Sequence, residues 1–118
     1  MARENILKEK SYSFAIKIVR LSQYLNKNKK EYVISKQILR SGTSVGALIR
    51  EAEFGQSKKD FISKMSISLK EANETDYWIS ILKDTDYIDD VKFNELNQNI
   101  SELIRMLIAS IKTAKNNV

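Results

Sequence analysis

Glu51, Glu71, Glu74 and Glu102 are the residues whose type and spacing come nearest to a chemical centre in this chain. Carboxylates on facing helices can hold a pair of metal ions, but the known di-iron bundles join them to Glu-x-x-His motifs. The sequence contains no histidine and no cysteine. That removes the imidazoles of such a centre, the base of a Ser-His-Asp triad and every thiolate site for a soft metal. No Walker-type phosphate loop is present either. The reading is a protein that is not an enzyme and has no metal and no cofactor.

The elements that must carry these carboxylates are helices. There is no proline, and the three glycines fall between Gly42 and Gly55. Four segments place apolar or small residues at alternating steps of three and four, the period of a helix with one buried face. Their stripes are Leu7, Ser11, Phe14, Ile18, Leu21 and Leu25; then Ile34, Ile38, Ser41, Val45, Leu48 and Ala52. Phe61, Met65, Ser68, Ala72, Thr75, Ile79 and Leu82 form the third, and Leu96, Ile100, Leu103 and Leu107 the fourth. Ser57 with Asp60 three residues on is a variant capping box at the third start, and residues 84–90 are rich in capping residues. Asn26 and Asn28 supply stop signals for the first helix, and Gly55 for the second. Helices are therefore predicted over about 5–27, 33–54, 58–83 and 90–115, in one domain of residues 1–118. Short connections between them predict an antiparallel, up-down-up-down, left-handed four-helix bundle.

Two features qualify that bundle. Gly42 and Gly46 lie inside the second helix, where each glycine costs about 1 kcal/mol relative to alanine. Close approach of a neighbouring helix explains them better than a kink, and Ser68 and Ala72 on the third helix suit such an approach. The third and fourth helices also carry more apolar residues than one seam uses: Ile62, Ile67, Leu69, Trp78 and Ile81, then Ile104, Ile108 and Ile111. A surplus of this kind predicts a subunit interface.

Charge is unevenly distributed. Residues 1–59 hold thirteen Lys/Arg against five Asp/Glu, and residues 60–118 seven against ten. The cations cluster as Lys17 and Arg20, then Lys27, Lys29 and Lys30 in a turn, then Lys36 and Arg40, with Tyr24 and Tyr32 flanking them. A helical hairpin brings these groups onto one surface. That surface is either a solvated lysine-rich face or a polyanion site driven by phosphate contacts, because no groove-reading motif accompanies it. The imbalance also suits docking of basic helices on the acidic helices of another copy or partner. Glu51, Glu71 and Glu74 are open to two readings: exposed charges with partners on their own helix, as Lys64 is for Asp60, or a polar network between helices or subunits. Absence of cysteine, of a leader-like segment and of a long apolar run predicts a cytoplasmic protein with no membrane association.

The run Ser44-Val45-Gly46-Ala47-Leu48-Ile49-Arg50-Glu51-Ala52 is followed by Ser57-Lys58-Lys59-Asp60-Phe61-Ile62-Ser63-Lys64-Met65 and by Lys70-Glu71-Ala72-Asn73-Glu74-Thr75-Asp76-Tyr77-Trp78. Together they resemble the bacterial four-helix-bundle proteins named for 23S rRNA intervening sequences. That group includes the accessory variability determinant proteins of diversity-generating retroelements. The resemblance implies a small bundle that assembles as a homopentamer. In the retroelement branch it also implies binding of RNA or DNA and of a reverse transcriptase. The polar positions that match are Ser44, Glu51, Ser57, Asp60, Lys64, Glu71 and Glu74, of which Ser44, Glu51, Lys64, Glu71 and Glu74 become the candidate polar network. Leu48 departs from the Asn found in many relatives.

Overall fold

The computed structural model describes residues 2–117. It holds four helices: α1 (Ala2–Lys29), α2 (Val33–Glu53), α3 (Lys58–Asp84) and α4 (Asp90–Asn116). No strand occurs among the described residues. The helices pack into a bundle of 49 × 22 × 19 Å in which α1 meets α2, α2 meets α3, α3 meets α4, and α4 returns to α1 along the thinnest seam. Partner residues run in opposite numerical order across three of these seams. Asn26 meets Ser35 and Lys8 meets Glu53, Ser41 meets Thr75 and Glu51 meets Lys64, and Lys10 meets Glu102 while Lys17 meets Glu95.

Helix α1 runs two residues past the expected stop. The asparagines stay helical, and Lys30 takes the left-handed conformation, φ 56°, while the N–H of Glu31 bonds the carbonyl of Leu25 at 3.0 Å. That bond reaches one residue further back than a Schellman six-to-one bond, and Lys30 holds the left-handed position that a helix ending usually gives to glycine. Helix α2 has no serine, threonine or aspartate at its start. Instead the buried carboxylate of Glu31 accepts from the N–H groups of Val33, Ile34 and Ser35 at 3.1, 3.0 and 2.8 Å. It satisfies three orphan donors and places a negative charge at the positive helix end. The cap expected at Ser57 forms, and Asp89 supplies one from the turn read as rich in capping residues. Ser57 Oγ accepts from the N–H of Asp60 at 3.0 Å, with the Asp60 carboxylate reaching back to the N–H of Gln56, and Asp89 accepts from the N–H of Lys92 at 2.8 Å.

The core is the set of buried stripes. Leu7, Phe14, Ile18 and Leu25 face Ile38 and Val45, with Met65, Ile79 and Leu82 of α3 and Leu96, Ile100, Leu103 and Leu107 of α4 completing it. Helix α2 remains unbroken through Gly42 and Gly46. The close neighbour at both glycines is α1, not α3. A Cβ at Gly42 would lie 2.9 Å from both Cγ atoms of Ile18, and one at Gly46 would lie 3.3 Å from the carbonyl oxygen and Oγ of Ser11. Across the opposite side of α2, Ser68 Oγ donates to the carbonyl of Val45 at 2.8 Å and Thr75 Oγ1 bonds Ser41 Oγ at 2.9 Å, all buried.

Gly42→Ala is expected to destabilise the protein despite the helix propensity it adds. The gain is about 1 kcal/mol, whereas overpacking costs about 1–3 kcal/mol. Ile18 branches at Cβ, so a χ1 turn cannot clear the clash. Thermal unfolding should give a lower Tm for Gly42→Ala. Ile18→Ala should cost less in that background than in the native chain, the non-additivity that contact implies.

Candidate nucleic-acid interface and polar network

The seven candidate cations divide into two groups. Lys17 lies on the α1–α4 seam, where its Nζ donates to Asn99 Oδ1 at 2.9 Å and pairs with Glu95 Oε2 at 3.2 Å. Arg40 lies on the α2–α3 seam, where it pairs with Glu71 at 3.0 Å and with Glu74. Arg20, Lys27, Lys29, Lys30 and Lys36 are exposed and make no ion pair among the described residues. Four of them surround the α1–α2 turn, and Arg20 projects from α1 into a cleft of about 620 Å³ shared with Tyr24, Ile88 and Lys92.

The same cleft brings Asp89 beside Tyr24, so the α1–α2 and α3–α4 turns occupy one end of the bundle. That end therefore carries the exposed Asp84, Asp86, Asp89 and Asp90 next to Lys27, Lys29, Lys30 and Lys36. The surface is divided by sign, with the basic half on the α1–α2 hairpin.

The polar candidates regroup in a similar way. Glu71 and Glu74 hold Arg40 between them, and Trp78 Nε1 donates to Glu74 Oε2 at 3.0 Å. Glu71, with 14% of its side chain exposed, is the best-sheltered carboxylate of the three pairs that cross this seam. Glu51 pairs with Lys64 at 3.2 Å one end further along. Lys64 thus reaches across to α2 rather than to Asp60, which is occupied as a cap. Ser44 joins neither group, because its Oγ donates to the Arg40 carbonyl of its own helix at 2.7 Å. Glu102 pairs with Lys10 on the α4–α1 seam, far from the other carboxylates. Among the described residues no three His, Cys, Asp or Glu converge as a metal site would need. No helix of the described residues is long and apolar enough to cross a membrane.

Sequence reasoning missed Glu31, a cap that precedes its helix by two residues, and Trp78, whose ring nitrogen anchors Glu74. Much of the surplus apolar surface expected on α3 and α4 is used within the bundle. Ile62, Leu69, Trp78 and Ile104 are half-buried against their own core, and Ile111 is buried. Ile67 and Ile108 alone of that set stay exposed, whereas α1 exposes Tyr12, Ile16 and Val19, a second stripe at steps of four and three. That spacing was the available signal.

Residues 3–109 match the family described as 23S rRNA-intervening sequence protein. The chain belongs to that family. The family match takes in all four helices up to the last turns of α4. A crystal structure from Bacteroides thetaiotaomicron VPI-5482, described as a protein with unknown function from the S23 ribosomal protein family, is 51% identical. It superposes with a TM-score of 0.92, over 93% of this chain and 98% of that one. No curated protein matches the chain. For this family member the α1–α4 seam has a titratable clasp. Hydrogen bonds from Lys92, at 3.0 Å, and from Lys17 hold the Glu95 carboxyl below its ordinary value of 4.5.

A carboxyl depressed in the folded state stabilises the fold fully above its unfolded pKa and loses that contribution as pH falls through the folded value. Glu95 is 42% exposed, so solvent screening holds the effect to about 0.5 kcal/mol. Urea unfolding of the native chain and Glu95→Gln should differ by that amount at neutral pH. The difference should shrink as pH falls below the ordinary carboxyl value and vanish only once pH lies below the depressed folded value, where the carboxyl is protonated in both states.

Proposed function

We propose that this family member is a non-enzymatic, cytoplasmic, homo-oligomeric protein that holds RNA or DNA through phosphate contacts. Each subunit is read as an antiparallel, up-down-up-down, left-handed bundle, and the resemblance on its matching motifs supports a pentamer. The observation that carries the nucleic-acid reading is the group of five exposed cations without ion-pair partners: Arg20, Lys27, Lys29, Lys30 and Lys36. Cations already neutralised inside the chain, such as Lys17 and Arg40, contribute little to counterion release. Phosphate contacts by flexible lysines position a backbone without reading bases, so binding is weakly sequence-specific.

A second reading has its own support. Four exposed aspartates stand at the same end of the bundle as four of these lysines. Charge so divided suits docking between copies or onto an acidic partner, with no nucleic acid involved.

Titration of structured RNA and of duplex DNA at several salt concentrations separates the two. Five phosphate contacts give log K against log salt a slope of about −4 to −5 on duplex DNA. Replacing Lys27, Lys29 and Lys30 together by Gln should reduce that slope by about 3 and weaken binding at low salt. Absence of binding at low salt, or binding that ignores the triple substitution, overturns the nucleic-acid reading.

A further inference from the structure

Arg20, Tyr24 and Lys27 follow one another on α1 at steps of four and three, so they lie along one line of its surface, all exposed. The first two line the cleft of about 620 Å³ between α1 and the start of α4, and Lys27 lies one turn beyond Tyr24. Tyr24, 42% exposed, and Leu21 form the α1 side of that cleft. Ile88 and Val91 form the other, Val91 with 78% of its surface accessible. The acids of the cleft are already committed: Glu95 holds Lys92 and Lys17, and Asp89 accepts from the N–H of Lys92. Arg20 is the one cation of the lining without an ion-pair partner among the described residues. A ring set between two free cations, with apolar side chains sharing its cleft, is a site for a flat group flanked by anions.

We propose that this cleft seats one unpaired base of a single-stranded nucleic acid: the base stacks on Tyr24 while Arg20 and Lys27 hold the phosphates on either side of it. The proposal rests on the nucleic-acid part of the reading above and adds to it the form of the ligand. Every base has a π-face, so stacking of this kind is indifferent to sequence. A duplex keeps its bases stacked on one another and offers phosphates, which leaves the Tyr24 ring and the exposed Val91 without a partner. Charge argues the same way. Asp89 lines the cleft and the exposed Asp90 follows it, so a ridge of phosphates laid from α1 to α4 is repelled at its far edge. A single strand keeps its phosphates on α1 and turns only a neutral base toward those acids. Past Lys27 the strand reaches the α1–α2 turn, where Lys29, Lys30 and the exposed ring of Tyr32 continue the alternation of charge and aromatic surface.

Fluorescence anisotropy over a salt series compares an unstructured RNA oligonucleotide with the duplex it forms with its complement, folding being checked by circular dichroism. At physiological salt the native chain should bind the single strand more tightly, since stacking is not screened as phosphate contacts are. Tyr24→Ala should weaken single-strand binding about tenfold and leave its salt slope unchanged, because stacking releases no counterion. Tyr24→Phe should restore the affinity, and duplex binding should respond to neither. Arg20→Gln should instead lower the single-strand slope by about 0.7. If Tyr24→Ala unfolds, Tyr24→Leu, which keeps bulk without a π-face, takes its place. A duplex bound as tightly as the single strand, single-strand binding that ignores loss of the ring, or a slope unmoved by Arg20→Gln overturns the stacking site and leaves the phosphate reading standing. Failure of both nucleic acids to bind at low salt overturns the two together.

Discussion

Ile18 lying against the bare backbone of Gly42 sets the spacing on which this bundle depends. The contact leaves no room for a Cβ, so α1 and α2 pack closer than side chains normally allow. Gly46 against the backbone of Ser11 keeps the approach tight one turn further along. The helix pays for these glycines in propensity and recovers the loss through dispersion contacts and burial of Ile18, which is fully inaccessible. The far side of α2 is built on the same principle, since Ser41, Ser68 and Thr75 also keep side chains short. Their hydroxyls are buried but hydrogen-bonded, which removes the desolvation penalty that such a seam would otherwise carry. A groove on the outer face of this hairpin is a by-product of the same spacing. Small residues that let two helices approach on the inside leave a recess where the run continues to Ala15 and Ala47 on the outside.

Electrostatics follow from that geometry. Ion pairs join α1 to α2, α2 to α3 and α4 to α1, each between side chains that two adjacent helices present to one another. Most involve half-exposed groups and contribute little stability individually. Arg40 differs, because Glu71 is sheltered and Trp78 fixes Glu74 from below, so the guanidinium meets two preoriented carboxylates. Pairing of this kind decides which cations remain available to a partner. Of those left over, Lys27, Lys29, Lys30 and Lys36 cluster about the α1–α2 turn, where helices end.

Much of this was legible in the sequence. Four helices, most of the stripes that became the core, and the cap at Ser57 follow from periodicity and local hydrogen-bonding chemistry, whereas on α2 Ile49 is buried in place of Leu48. The polar set was legible in part: Glu71 and Glu74 do act together, but their cation, Arg40, had been placed with the turn lysines. The difference is register, since Arg40 and Glu71 are 31 residues apart and only packing brings them within reach. Glu31 was hidden for a related reason, because a carboxylate that caps from two residues before the helix fits no simple pattern. The apolar surplus on α3 and α4 is smaller than a count by helix suggests. Burial depends on angle, and the half-buried set on those helices turns toward its own core while Tyr12, Ile16 and Val19 turn away from it.

The fold itself is shared by proteins with unrelated roles, so whatever this family member does resides on its outer faces. The lysines of the α1–α2 turn form the most sharply charged part of those faces, because Lys27, Lys29, Lys30 and Lys36 stand exposed with no ion-pair partner among the described residues. Asp84, Asp86, Asp89 and Asp90 share that end of the bundle. A polyanion drawn to the lysines would meet repulsion beside them, so the field confines its approach to the α1–α2 side. The recess on the outer face of the same hairpin is independent of that charge, since apolar burial depends on area.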